Sequence, residues 1–213
     1  MAKPRREVEI TLHSIRVPVT GTGLDTDTSH LLTATLIWPR LGVAGKSASQ
    51  PCALQHGESS FETVHWGRRI LFKEAVEGRF ALGLVLTEAL DDEEMEKFLR
   101  FWTGAFLAVG ADLAGAAAPA PAGKLAAAPL DYAAKAIAKY PGALPLVEGL
   151  VEINAAELPP GGRERLLTVR LTAARTLARL SRRTVNSRPR VSRSLLLEKG
   201  ADNGEVTLAI RSL

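Results

Sequence analysis

The chain has 213 residues, a formal net charge of +4 and a single cysteine, Cys52. Its 46% hydrophobic and 23% charged residues are ordinary globular values, which exclude a disordered or collagen-like chain. One cysteine excludes an internal disulfide. The basic start of the chain runs into Glu7-Val8-Glu9 and not into an apolar segment, so we expect no secretory signal and a cytoplasmic location. We expect residues 1–213 to form a single domain.

The first part of the chain, residues 5–90, has the patterns of β-structure. Apolar residues alternate with polar ones from Val8 to Leu12, which is the period of a half-buried strand. The apolar positions continue from Ile15 in the opposite phase. This change of phase predicts a β-bulge near His13.

Further strands are predicted at residues 31–38, 61–66, 69–74 and 79–87, which makes five. Gly78 separates the last two, which predicts a β-hairpin. Residues 40–60 are rich in Gly, Ser and Pro and are predicted to be a long loop.

Residues 91–142 are rich in alanine and have a helical period, which predicts an insertion of two helices after the fifth strand. In the first helix an apolar stripe includes Phe98, Trp102 and Phe106, at helical spacing. We interpret these three residues as an interaction helix. Packing on the core and insertion of residues 98–118 into a membrane are the alternatives.

Strand patterns return in residues 144–213. Apolar residues alternate with polar ones around Val151, Val169 and Leu208. Residues 174–183 fit a strand or a short helix equally well. Residues 199–204 have the composition of a hairpin loop.

The predicted fold class is therefore mainly β with a helical insertion. It is an antiparallel β-sandwich of about eight strands plus two helices, with residues 5–90 and 144–213 forming the sandwich.

Four segments resemble the C2 domain, a β-sandwich that binds calcium and phospholipid: residues 7–18, 23–36, 80–92 and 204–211. The likeness covers the β portions and not the helical insertion. It implies a C2-like sandwich, with calcium as the candidate cofactor and an anionic membrane as a candidate partner. Calcium takes six to eight oxygen ligands. The acidic residues at the matching loop positions are Asp25, Asp27, Glu88, Asp91 and Asp92.

The strongest charge signal is a run of nine arginines and no acidic residue between Arg165 and Arg193. Arginine favours bidentate contacts with carboxylates and phosphates. One interpretation of the run is a face that is solvated, or salt-bridged to acidic residues such as the cluster from Asp91 to Glu96. The other is a patch for an anionic partner, in the order acidic protein surface, lipid headgroup and nucleic acid. The predicted patch consists of Arg175, Arg179, Arg182, Arg183, Arg188, Arg190 and Arg193.

The sequence contains no complete catalytic motif, so we predict a non-enzymatic binding or assembly protein. Its partner would be a second copy or another protein subunit. Peripheral binding to anionic membranes, with or without calcium, is the alternative. A second alternative is an enzyme whose site lies near Cys52, His56 and His65, because these residues have nucleophile and ligand chemistry.

Overall fold

The computed structural model describes residues 5–20, 29–40, 43–54, 57–60, 70–87, 145–185 and 188–213. These residues form eleven strands and one 3-10 turn, Ala155–Glu157. The strands are β1 (Arg5–Arg16), β2 (Ser29–Arg40), β3 (Val43–Ala53), β4 (Glu58–Ser60), β5 (Ile70–Glu77), β6 (Arg79–Thr87), β7 (Pro145–Asn154), β8 (Glu164–Ala173), β9 (Leu177–Val185), β10 (Arg188–Leu197) and β11 (Asp202–Ser212).

Nine strands form one antiparallel sheet in the order β3-β2-β6-β7-β8-β11-β1-β4, and β5 also pairs with β1. The sheet curls until β5 lies against β2, β3 and β6, so it is nearly closed. An ion pair between Lys46 of β3 and Glu74 of β5 joins the two edges. The prediction of a mainly β, antiparallel fold is confirmed, and the nearly closed sheet is consistent with a β-sandwich or a barrel-like fold.

Strand β1 shows how the sequence pattern sets the core. Val8, Ile10, Leu12 and Ile15 are all at most 1% exposed. The pairing of β1 with β11 shifts register between Leu12 and Ser14, which confirms the predicted bulge. The extra residue returns Ile15 to the inner face after the phase change.

Residues 30–36 of β2 and 80–87 of β6 are buried on both faces of the sheet. Every side chain from His30 to Leu36 and from Phe80 to Thr87 is buried. Strands covered on both sides have nearly continuous apolar runs instead of alternation. This explains why the sequence between Phe80 and Leu86 contains almost no polar residue.

The predicted fold class of about eight strands plus two helices is wrong. The described residues contain eleven strands and no α-helix, and their helical element is the 3-10 turn alone. Part of the difference is that residues 43–53 and 177–185 are strands. Residues 91–142, where the two helices and their interaction stripe were predicted, lie outside the described residues.

The predicted loop at residues 40–60 is largely strand β3. This strand pairs along its length with β2 and has no second ladder partner among the described strands, so it is an edge strand. An edge tolerates Pro51, because a missing backbone N–H on the outer side leaves no hydrogen bond unmade. The same position accounts for the polar composition that suggested a loop.

Two predicted hairpins are also wrong, although their strands exist. β5 pairs with β1, whereas β6 pairs with β2 and β7, so Gly78 is a corner between strands that do not pair. In the same way β10 pairs with β9 and β11 pairs with β8 and β1. Short separation along the chain suggested these pairs. Instead β5, β6 and β11 pair with strands that are distant in sequence, and β10 pairs with the strand before it, β9.

The segment that follows β1 is held from two sides. The Val17 amide donates to the Gly57 carbonyl oxygen (2.6 Å). The Val19 amide donates to Oδ1 of Asn203 (3.0 Å), and Nδ2 of Asn203 donates to the Val19 carbonyl oxygen (2.7 Å). Asn203 is 2% exposed, so its side-chain amide acts as a buried substitute for a strand partner.

Gly204 allows this close approach. Its φ is +109°, and a Cβ there would lie 1.9 Å from the Arg16 carbonyl oxygen. No other residue type fits without moving the start of β11 away from β1.

We expect Gly204→Ala to lower the free energy of unfolding by about 3 kcal/mol, because left-handed strain adds to a backbone clash. The matched control is Gly200→Ala, which has φ +83° but nothing within 4 Å of its Cβ. The control should cost about 1 kcal/mol. Urea unfolding of both variants measures the difference, and equal losses would contradict the clash.

Candidate functional site

The arginine-rich segment forms a β-ribbon that continues the sheet. β9 follows β8 after Ala173, and β10 leads into β11 at Asp202. Because β8 pairs with β11 and β9 pairs with β10, the four strands form one long ribbon with a break in the middle. We call its outer part, residues 177–197, the arm.

Backbone hydrogen bonds fix the base of the arm at the break. The Ala173 amide donates to the Ala201 carbonyl oxygen (2.9 Å), and the Gly200 amide donates to the Ala173 carbonyl oxygen (2.8 Å). Leu177 is 2% exposed and belongs to the core. Its register partner Leu197 packs against the same core. The arm is therefore anchored at its base by apolar contacts.

Beyond its base the arm contacts the sheet little. Among the described elements, the extensive contacts of β9 are with β10 and those of β10 are with β9. The undecided segment at residues 174–183 is thus mostly strand, and its strand partner comes from the arm itself.

The register places two arginines directly opposite each other, Arg183 of β9 and Arg190 of β10. Like charges at directly opposite positions destabilise an antiparallel pair. From Leu177 to Leu197 the sequence has no acidic residue that could offset them. An anion bound at this position would remove the repulsion.

The predicted patch residues are distributed as follows. Arg175 is half-buried beside the base of the arm. The strands of the arm contain the other six, Arg179, Arg182, Arg183, Arg188, Arg190 and Arg193. The structure brings these residues into one ribbon, and their binding role stays a prediction.

Two other predicted sites lie outside the described residues. They are the interaction helix (Phe98, Trp102 and Phe106) and the calcium loops (Asp25, Asp27, Glu88, Asp91 and Asp92). Within the described ranges, no group of three or more His, Cys, Asp or Glu side chains could hold a metal ion.

Of the three residues of the candidate enzyme site, the structure describes Cys52, whereas His56 and His65 lie outside the described residues. Cys52 is fully buried, and its Sγ contacts the Gln50 carbonyl oxygen at 3.4 Å. The register of β2 and β3 places His30 opposite Cys52, and His30 is 1% exposed. No sequence pattern indicated this pair, because it depends on the β2–β3 register.

We expect the thiol of Cys52 to resist modification in the folded protein, because a buried thiol is shielded from reagent and from a catalytic partner. Ellman's reagent should label one thiol per chain in denaturant and much less than one in buffer. Rapid stoichiometric labelling of the folded protein would instead favour an accessible, reactive cysteine.

A shallow groove lies where β7 and β8 separate. These strands pair only near Val147 and Ala173, at one end. Further along, the polar lining of the groove includes Glu152 and Arg165. Glu152 is already paired with Arg79 (3.2 Å), so its carboxylate has a structural partner.

Sequence reasoning missed the outer face of the strands around β1. Here opposite residues on β8, β11, β1 and β5 or β4 form rows across the sheet. One charged row is Glu164–Arg211–Glu9–Lys73, and the other is Arg170–Glu205–Arg16–Glu58. Charge alternates in both rows. The alternation of Glu7 and Glu9 with apolar residues marked this face as polar, but the rows require the register.

Within each row an ion pair is formed in the folded chain. Arg211 Nη2 lies 2.8 Å from Glu9 Oε1, and Arg16 Nε lies 2.8 Å from Glu58 Oε1. Glu9 is only 4% exposed, whereas Glu164 and Lys73 at the ends of the row are exposed. Between the rows lies a band that contains Leu166, Ala209, Thr11 and Ile70.

No helix in the part of the chain that the structure describes has the length and apolar character needed to cross a bilayer. The apolar run at residues 98–118 is outside that part. A comparison with protein-family models and with curated proteins finds no match to this chain.

Proposed function

We propose that this protein is a non-enzymatic assembly protein whose arm binds an acidic segment of a protein partner. The observation that carries the proposal is that every charged residue of the arm is an arginine, with Arg183 opposite Arg190. Such a pair is unfavourable by itself and becomes favourable when a carboxylate lies between the two guanidinium groups.

The position of the arm supports this role. Its base is anchored in the core through Leu177, and the rest has little contact with the described sheet. Among the described strands, β9 and β10 pair only with each other, so each has a second backbone edge that no described strand covers. Extended segments can bind by adding to such an edge.

Residue type favours a protein partner. All six charged residues of the arm are arginines, which pair with carboxylates in a planar, bidentate way. The arm contains no aromatic residue, whereas single-stranded nucleic acid is usually bound by stacking on aromatic rings. The chain itself supplies one acidic sequence of the right kind, Asp91-Asp-Glu-Glu-Met-Glu96.

We also propose that the fold is C2-like. Two of the four segments that resemble that family form β1 and β11, and these strands pair with each other. The likeness supports a shared scaffold. Fold likeness does not transfer function, so calcium and membrane binding and a cytoplasmic location stay predictions.

We expect a labelled peptide with the sequence of residues 91–96, held between neutral flanks, to bind the protein in a salt-dependent way. Replacing Arg183 and Arg190 by Ala should weaken binding about tenfold, since an exposed ion pair contributes up to about 1 kcal/mol and 1.4 kcal/mol is tenfold. Fluorescence anisotropy measures the affinity.

The matched control replaces Arg163 and Arg165 by Ala. Both are exposed and lie outside the arm, so the same loss of net charge should leave the affinity nearly unchanged. If both double substitutions weakened peptide binding equally, the effect would depend on net charge and not on the arm. If the arm variant instead loses binding to phosphatidylserine vesicles while the peptide never binds, the assembly proposal is wrong and the membrane alternative replaces it.

A further inference from the structure

The two charged rows on the outer face have a symmetry that points to a partner. Across β8, β11, β1 and β5 the charges run minus, plus, minus, plus: Glu164, Arg211, Glu9 and Lys73. Across β8, β11, β1 and β4 the second row runs plus, minus, plus, minus: Arg170, Glu205, Arg16 and Glu58. In both rows the sign reverses on reflection through the line between β11 and β1.

A surface with this pattern is complementary to itself. A twofold rotation about an axis parallel to the strands, along the line between β11 and β1, places β8 of one copy opposite β5 or β4 of the other. Glu164 then faces Lys73 of the second copy, and Arg170 faces Glu58 of the second copy. Each charged position in both rows then faces a position of opposite sign, which is the requirement for an isologous interface. Glu9, which is 4% exposed and paired with Arg211, lies beneath the contact, so the exposed charges of the rows make it.

The uncharged band obeys the same rotation. Leu166 of one copy faces Ile70 of the second copy, and Ala209 faces Thr11. Leu166 is 54% exposed and Ile70 is 47% exposed, so each presents apolar surface in the single chain. The rotation buries these two side chains against each other between the charged rows.

The ends of the first row have no ion-pair partner among the residues that the structure describes. In the described residues neither Glu164 nor Lys73 takes part in an ion pair or a side-chain hydrogen bond, whereas Glu9 and Arg211 between them are paired. A second copy would supply the missing charge at both ends.

The area is sufficient for a reversible dimer. Four strands about 4.8 Å apart and four rows about 6.8 Å apart cover roughly 500 Å² per copy. Two copies would bury about 1,000 Å², the lower limit for a specific interface. Because the strands of each sheet twist relative to one another, the rows match best near the axis.

We infer that the outer face of β8, β11, β1, β5 and β4 is the dimer interface of this protein, and that a second copy covers it about an axis parallel to the strands. This interface adds a surface to the proposed assembly function and involves no residue of the arm.

The test is a charge exchange at Glu164 and Lys73, measured by sedimentation equilibrium. The wild-type chain should form dimers that dissociate as salt is added. Glu164→Lys alone or Lys73→Glu alone should weaken dimerisation about tenfold, because each change places like charges at two symmetric contacts. The two single variants mixed together should form a heterodimer, and the double variant should dimerise like the wild type.

The matched control is Glu198→Lys with Lys199→Glu, an exchange of exposed neighbours outside the rows, which should change nothing. Recovery in the mixture shows that the single variants are folded. A monomeric wild-type chain at high concentration, or single variants that do not recover when mixed, would overturn the interface.

Dimers that respond to Trp102→Glu but not to the charge exchange would assign association to residues 98–106 instead. Peptide binding by the arm should be the same in all these variants, so its loss would count against the proposed function and not against the interface.

Discussion

The pairing of β1 with β11 is the constraint on which the rest of the sheet depends. These strands come from opposite ends of the described chain and pair from Val8 to Arg16. β1 also pairs with β4 and β5, and β11 also pairs with β8. Without this central pair the strands on either side would lose their common neighbour. The Leu213 amide extends the contact by donating to the Glu7 carbonyl oxygen (2.9 Å).

Sequence patterns predicted the strands well where one face is buried. The alternation around Ile10 and the change of phase near His13 gave both β1 and its bulge. The patterns failed at β3, because an edge strand with Pro51 has the composition of a loop. They also failed at Gly78, because local sequence indicates a turn but not which strands pair. Strand partners are chosen by core packing between distant segments, which the sequence does not display.

The candidate sites show the same division. The arginines of the arm were evident from composition, whereas the opposition of Arg183 and Arg190 appeared only with the register. The charged rows were not evident at all, because each row takes its residues from four separate strands. Cys52 was grouped with His56 by proximity in sequence, although the ladder places it opposite His30.

The two proposed surfaces differ in electrostatic character. The arm has one sign of charge, so it repels another arm and attracts an acidic segment. The charges of the outer face alternate in sign. This face therefore has little net attraction for another charged molecule, but it is complementary to a second copy of itself. One surface would therefore select a partner by charge and the other by register, and both can be occupied at once.

The arm is joined to the sheet by adjacent strands, and this arrangement determines how a mechanical load would spread. A pull on the arm along its length reaches the sheet through β8 and β11. Among the described strands, β8 is joined to β7 at one end only, whereas β11 is paired with β1 along most of its length. The load is therefore carried mainly in shear by the β1–β11 ladder, whose hydrogen bonds resist together and not one after another. A partner that pulls on the arm would thus be resisted by the ladder that joins the first and the last described strands.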